Sequence, residues 1–261
     1  MFDTMLHAYL RAGDGDPSWN GPYYAALVFF VGFLTQTFMI FAANDERTAG
    51  VTICVVATFS YLVRLHVATS PMINAGLLFA WGLRVAIRGV PRPKLIPLLE
   101  PHACDAALGK TLWSWFLVAP TTYAVVLDPH EVSPLFPTVG VALCVAAFVV
   151  DLVERDQREG KCTRNPYVFS SACVSWGLYA VHPSWWTLPF PLAFCALLLG
   201  GPEGYLAQET TRRARAIREP AQAEYVRTVS PLFPMPRAVY ARTPRWLRTS
   251  FLGDFYALHS K

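Results

Sequence analysis

Apolar residues in this chain come in long unbroken runs, without the recurring polar positions that mark a half-buried helix or strand. Soluble helices show a polar face every three to four residues, and these runs lack one. A hydrocarbon layer about 30 Å thick needs about 20 mostly apolar residues per helix. Runs approaching that length cover Pro22–Ala43, Ala49–Ala68, Met72–Ile87, Leu112–Leu127, Phe136–Val153, Pro166–Val181 and Trp185–Leu199. The sixth and seventh are nearly continuous. The pattern therefore predicts an all-α, polytopic integral membrane protein with six or seven transmembrane helices. It divides the chain into an N-terminal tail (1–21), a transmembrane bundle (22–201) and a basic C-terminal surface segment (202–261).

Composition agrees with this reading. Of the 261 residues 54% are hydrophobic and 15% charged, with mean hydropathy +0.33, whereas soluble domains carry about a quarter charged residues. The charges between the runs add an orientation. Arg88, Arg92, Lys94 and Lys110 follow the third run, and Arg155, Arg158, Lys161 and Arg164 follow the fifth. Arg212, Arg213, Arg215, Arg218, Arg227, Arg237, Arg242, Arg245 and Arg248 follow the seventh. With seven spans these regions share one side, opposite Asp3, Asp14, Asp16 and the Asp128–Glu131 loop. The positive-inside rule places the basic side in the cytosol or the mitochondrial matrix. The first residues match neither a signal peptide nor a transit peptide, so the first run is expected to target the chain itself. The mitochondrial inner membrane and the endoplasmic reticulum both fit.

Few polar groups fall within the runs. Arg64, His66 and Arg84 lie at membrane depth, where a charge is costly and turns toward a bundle interior or the interface. Arg84 and Arg88 read either as a lipid-headgroup pocket or as snorkelling side chains. Arg212 and Arg213 sit on a basic helical stretch, Ala207–Arg218, suited to anionic lipid. Pro231, Pro234, Pro236 and Pro244 are expected to break the following tail into extended pieces. Six cysteines without a CxxC pair, and isolated histidines, indicate no disulfide framework and no metal site. No GxGxxG or P-loop occurs, and no nucleic-acid partner is expected; membrane lipids and other membrane subunits are.

Four separated pieces carry a resemblance to a known family. They are Phe79-Ala-Trp81-Gly-Leu-Arg84-Val-Ala-Ile-Arg88; Asp151-Leu-Val-Glu-Arg-Asp-Gln157-Arg158; Cys162-Thr-Arg-Asn-Pro-Tyr-Val-Phe169 with Trp176-Gly177; and Glu209 with Pro220, Tyr225 and Pro234. In this order they resemble the steroid 5α-reductase-like integral-membrane reductases, whose fold is similar to isoprenylcysteine methyltransferase. The resemblance covers roughly residues 40–240. It implies an NADPH site between the cytosolic ends of the last helices, with Gln157, Arg158, Arg164 and Glu209 on the cofactor and hydride transfer to an enone.

The third piece keeps the family's packing residues and loses its chemical ones. Asn165 stands where the family has His, Tyr167 where it has Asn, Val168 where it has Tyr, and Ser170-Ser171 where it has Gly-Glu. In the second piece Arg155 falls on an Asp, unless a one-residue slip brings Asp156 there. A developing enolate needs an O–H donor, which Val168 cannot supply, and Tyr167 would point about 100° away on a helix. The segment between Arg158 and Arg164 is also much shorter than the family's. The sequence thus favours a non-catalytic protein, with Arg164, Asn165 and Tyr167 as vestigial catalytic positions and no cofactor. It would serve as a structural or lipid-contacting subunit of a larger membrane complex. The alternatives are an NADPH-dependent reductase of a sterol or other lipid enone, working through a rearranged site, and a methyltransferase-like activity on a lipid or prenylated substrate.

Overall fold

The computed structural model describes residues 30–32, 34–35, 47–63, 69–88, 116–119, 121–122, 132–155, 162–200, 205–250, 252 and 254. Every regular element among them is a helix: α1 (Thr48–Val63), α2 (Thr69–Arg88), α3 (Leu135–Arg155), α4 (Pro166–Val181), α5 (Pro189–Gly200), α6 (Tyr205–Ala216), α7 (Pro220–Thr228), α8 (Arg237–Arg242) and α9 (Arg245–Ser250). Helical residues also occur at 30–32, 34–35, 116–119 and 121–122. α1 is rich in Val, Thr and Ile, which favour strands in water. With no strand to pair with among the described residues, a helix is the form that satisfies its amides internally.

Proline places several helix starts. Pro166 and Pro220 occupy the first turns of α4 and α7, where the missing N–H costs nothing and φ is already helical. Pro189 opens α5 in the same way. The tail departs from expectation here. Pro236 is the N-cap of α8, and the Pro244 carbonyl accepts from the Leu247 and Arg248 amides in α9. Two of the prolines expected to keep the tail extended therefore start short helices, because proline is compatible with a helix N-terminus and disruptive only further in.

The bundle is organised by two close helix crossings. A Cβ added to Gly177 on α4 would sit 2.5 Å from Cys144 Sγ and 2.9 Å from the Gly140 carbonyl of α3. One added to Gly140 would meet the Gly177 carbonyl at 2.6 Å. Gly50 and Gly82 repeat this arrangement between α1 and α2, with a Gly50 Cβ 2.6 Å from the Gly82 carbonyl. Such contacts are available only to glycine and let the backbones approach closely. Both Trp-Gly dipeptides therefore have a packing role. Trp81 fills the core beside its glycine and meets Phe148 edge-to-face at 5.5 Å.

Around these crossings Ile53, Leu78, Val85, Leu117, Val174, Leu178 and Phe194 form one buried cluster. A polar tie runs through it. Asn74 Nδ2 donates to the Leu178 carbonyl at 2.9 Å, and Thr121 Oγ1 donates to Asn74 Oδ1 at 2.9 Å. The outward side is also apolar: Leu135, Phe136, Val139, Val145, Val149, Leu152 and Val153 of α3 are all exposed.

Two stretches are long and apolar enough to cross a membrane, Leu135–Glu154 and Pro189–Ala216. Ala49–Leu62 and Met72–Ile87 are shorter apolar helices. The 16 residues of α1 rise about 24 Å, short of a hydrocarbon layer of about 30 Å. The six or seven spans expected from the sequence thus stand at two by length and composition among the described residues. Most of the expected runs Pro22–Ala43 and Leu112–Leu127, with Arg64 and His66, lie outside those residues.

Candidate functional site

The strongest polar cluster forms where α4 begins. Asn165 is the N-cap of that helix, but its side chain makes no capping bond, although Asn is among the best N-caps. Its amide is turned to other partners. Nδ2 donates to Glu209 Oε1 at 3.1 Å and to the Pro231 carbonyl at 2.8 Å, while Oδ1 accepts from Arg212 Nη1 at 2.6 Å. Glu209, on α6, is the centre of the cluster. Its Oε2 accepts from Arg164 Nη1 at 2.6 Å, and its Oε1 also accepts from Arg212 Nη1 at 3.0 Å.

The Arg164 and Glu209 side chains are 0% and 1% exposed. A buried pair of this kind holds only when its desolvation is offset by close, hydrogen-bonded partners. Glu209 has that compensation from three donors. Arg164 has it in part: its Nε and Nη2 have no hydrogen-bond partner.

A tail segment closes the cluster from outside α4 and α6. Thr163 and Ser230 form a parallel bridge. The Arg164 amide donates to the Ser230 carbonyl at 2.8 Å, the Met235 amide to Cys162 at 3.0 Å, and Thr163 Oγ1 to Leu232 at 3.0 Å. Glu154, near the end of α3, accepts the Cys162 amide at 3.0 and 3.1 Å on its two carboxylate oxygens. Residues 162–165 are therefore held by α3 on one side and by 230–235 on the other.

A second ionic centre lies within the bundle. Arg84 of α2 is 8% exposed. It forms a bidentate pair with Asp151 of α3, its Nε donating to Oδ2 at 2.7 Å and its Nη2 to Oδ1. Its guanidinium stands 4.7 Å from the Trp81 ring centroid and 5.8 Å from that of Tyr167. Ring faces attract such a cation electrostatically. Arg84 is accordingly turned into the bundle and does not snorkel to an interface.

A third centre fastens the tail to α6. Arg213 Nη2 pairs with Asp254 Oδ1, and Tyr240 Oη donates to Asp254 Oδ2 at 2.9 Å. Arg248 lies 4.7 Å from the Tyr240 ring centroid and donates to the Thr243 and Ala241 carbonyls at 2.8 and 2.5 Å. Burial raises the Tyr240 pKa above its ordinary 10.0, and the neighbouring Asp254 carboxylate raises it further. Both effects disfavour a phenolate.

No family model, curated protein or solved structure matches this chain.

The structure thus brings together some of the sequence-selected residues and separates others. Arg164, Asn165, Glu209 and Arg212 form one network. Tyr167 joins Arg84 instead, and Arg213 joins Asp254. Arg88 ends α2, and its side chain lies outside the described set, as do Gln157 and Arg158. Val168 and Ser171 are buried in α4. Among the described residues no group of three or more His, Cys, Asp or Glu is arranged to hold a metal ion.

Sequence reading did not foresee the partnership of Asp151 with Arg84, the Glu154 contact or the Asp254 clamp. The first had a signal: two opposite charges in neighbouring apolar runs are costly unless paired. The clamp had none, because Asp254 lies in a tail of no evident periodicity.

Proposed function

We propose that this chain is a non-catalytic membrane-embedded helical bundle, a structural or lipid-contacting subunit of a larger membrane assembly. The observation that carries the reading is the closed network around Glu209. Arg164, Asn165 and Arg212 all donate to the same carboxylate or to one another. Residues 230–235 are bonded directly over residues 162–165. Side chains that would grip a cofactor in the resembled reductases hold helices together in this arrangement. Asn165 suits that role better than histidine, since one amide serves two acceptors and one donor while an imidazole has only two nitrogens.

The apolar outer face of α3 and the two stretches of spanning length support placement in a membrane. Six or seven spans, with the tail on the cytosolic or matrix side, remain part of this proposal, as does residence in the mitochondrial inner membrane or endoplasmic reticulum. Extraction in mild detergent followed by a native gel tests the subunit reading. The chain is expected to migrate in a large complex with other membrane proteins, and a monodisperse 29.0 kDa species would overturn it.

One observation favours a second reading, an NADPH-dependent reductase of a lipid enone. Arg164 keeps two buried donors, Nε and Nη2, without hydrogen-bond partners, and an anionic group brought to them would complete its coordination. Under this reading Arg164 would orient the phosphate-bearing cofactor, and NADPH itself would supply the hydride. Glu209 would have to release Arg164 or Asn165 for the cofactor to enter. Saturable NADPH binding by the purified chain distinguishes the two readings.

A further inference from the structure

We infer that the basic last turn of α6 and the helices α7–α9 form a platform that lies on the anionic headgroups of the membrane holding the bundle. This inference rests on the membrane placement proposed above and adds the surface and its lipid class. The tail's sequence is basic, and its folding keeps most of that charge exposed. Glu209 and Asp254, two of its carboxylates, are buried and paired inward with Arg164, Arg212 and Arg213. Among the described residues from 205 onward, the exposed charges are then Arg215, Arg218, Arg227, Arg237, Arg242 and Arg245 against Glu219 and Glu224. Of those two acids, Glu224 already faces Arg227 at 3.8 Å. From residue 205 to 254 the sequence carries nine arginines against four acids, and the fold keeps that excess on the outside, six exposed arginines against two exposed acids.

Large apolar side chains are exposed on the same segment: Ile217 at 87%, Trp246 at 64%, Val239 and Phe233. Arginine beside exposed Trp and aliphatic side chains is the composition of an interfacial helix, and indole favours the headgroup layer. Position argues for lipid over a soluble acidic partner. The stretch Pro189–Ala216, long and apolar enough to cross a membrane, contains α6 and turns basic only in that helix's last turns, at Arg212, Arg213 and Arg215, so the basic surface begins at the end of that stretch. Asp254, bonded to both Arg213 and Tyr240, links α8 to the end of α6 and so to that boundary.

The arginines are themselves the reporter, since each exposed one is a trypsin site. The full chain would be placed in nanodiscs of phosphatidylcholine alone or with about a third phosphatidylglycerol, and cleavage at Arg215, Arg218, Arg227, Arg242 and Arg245 followed by mass spectrometry. Cleavage is expected to slow about tenfold or more in the anionic discs and to recover at about 0.5 M salt, where exposed charges are screened within a few ångströms. The combined variant Arg215→Glu, Arg218→Glu, Arg242→Glu and Arg245→Glu should be cut at Arg227 equally fast in both discs. Equal cleavage of the unaltered chain in both lipids overturns the inference. So does equal protection in both, which would mean that the tail is covered by protein. Protection of the glutamate variant in anionic discs alone would also overturn it. A carbonate wash of the same chain in vesicles separates the two proposals: a chain that washes off contradicts the membrane placement, and a chain that stays while trypsin ignores the lipid contradicts only the platform.

Discussion

Arg84 and Asp151 meet inside the bundle as a bidentate pair beneath two aromatic rings. Removing one member of a buried pair leaves an uncompensated charge, at a cost of about 3–5 kcal/mol, whereas replacing both with apolar residues is often neutral. Arg84→Leu and Asp151→Leu are each expected to lower the thermal unfolding midpoint in detergent strongly, and the double variant to recover most of the loss. Tyr240 gives a pH dependence at the same scale. Its pKa is raised in the folded state, so its contribution is fully present below the ordinary value of 10.0 and is lost as pH rises through the raised value. Stability should therefore fall with rising pH above about 10, and Tyr240→Phe should make that fall shallower in an alkaline unfolding titration. Arg84 was visible in the sequence as a charge in an apolar run. Its partner was not, because a run of letters does not say which neighbouring helix faces it.

At the scale of elements, the helices were legible where apolar runs had clear ends. The expected Pro166–Val181 coincides with α4, whose start is set by Pro166 and whose end precedes Pro183. Expected and observed ends differ more in α5, where Trp185 and Trp186 lie in the preceding turn and are exposed. Hydropathy counts those indoles as helix, while Pro189 decides where the helix starts. The glycine crossings make a sharper claim about assembly. Gly177→Leu or Gly140→Leu should force α3 and α4 apart and destabilise the protein by about 1–3 kcal/mol. Gly76 has nothing within 4 Å of an added Cβ, so Gly76→Ala should be neutral or stabilising by up to about 1 kcal/mol. Unfolding curves of the three variants check both statements.

At the scale of the molecule, three ionic centres among the described residues hold the helices together. Arg84 with Asp151 ties α2 to α3, Glu209 ties α4 to α6, and Asp254 ties the tail to α6. The sequence showed Arg164, Asn165 and Glu209 as candidate chemistry, and the fold does bring them together. What it could not show was that residues 230–235 would bond onto 162–165, a contact set by chain reversal across more than sixty positions. The central claim is that these side chains bind one another and not a cofactor. It is tested most directly by titrating the purified, detergent-solubilised chain with NADPH while following tryptophan fluorescence and the absorbance of the nicotinamide, with and without a sterol enone. The account predicts no saturable change and no enone-dependent oxidation. A saturable response that Arg164→Ala abolishes, accompanied by oxidation when the enone is added, would contradict it.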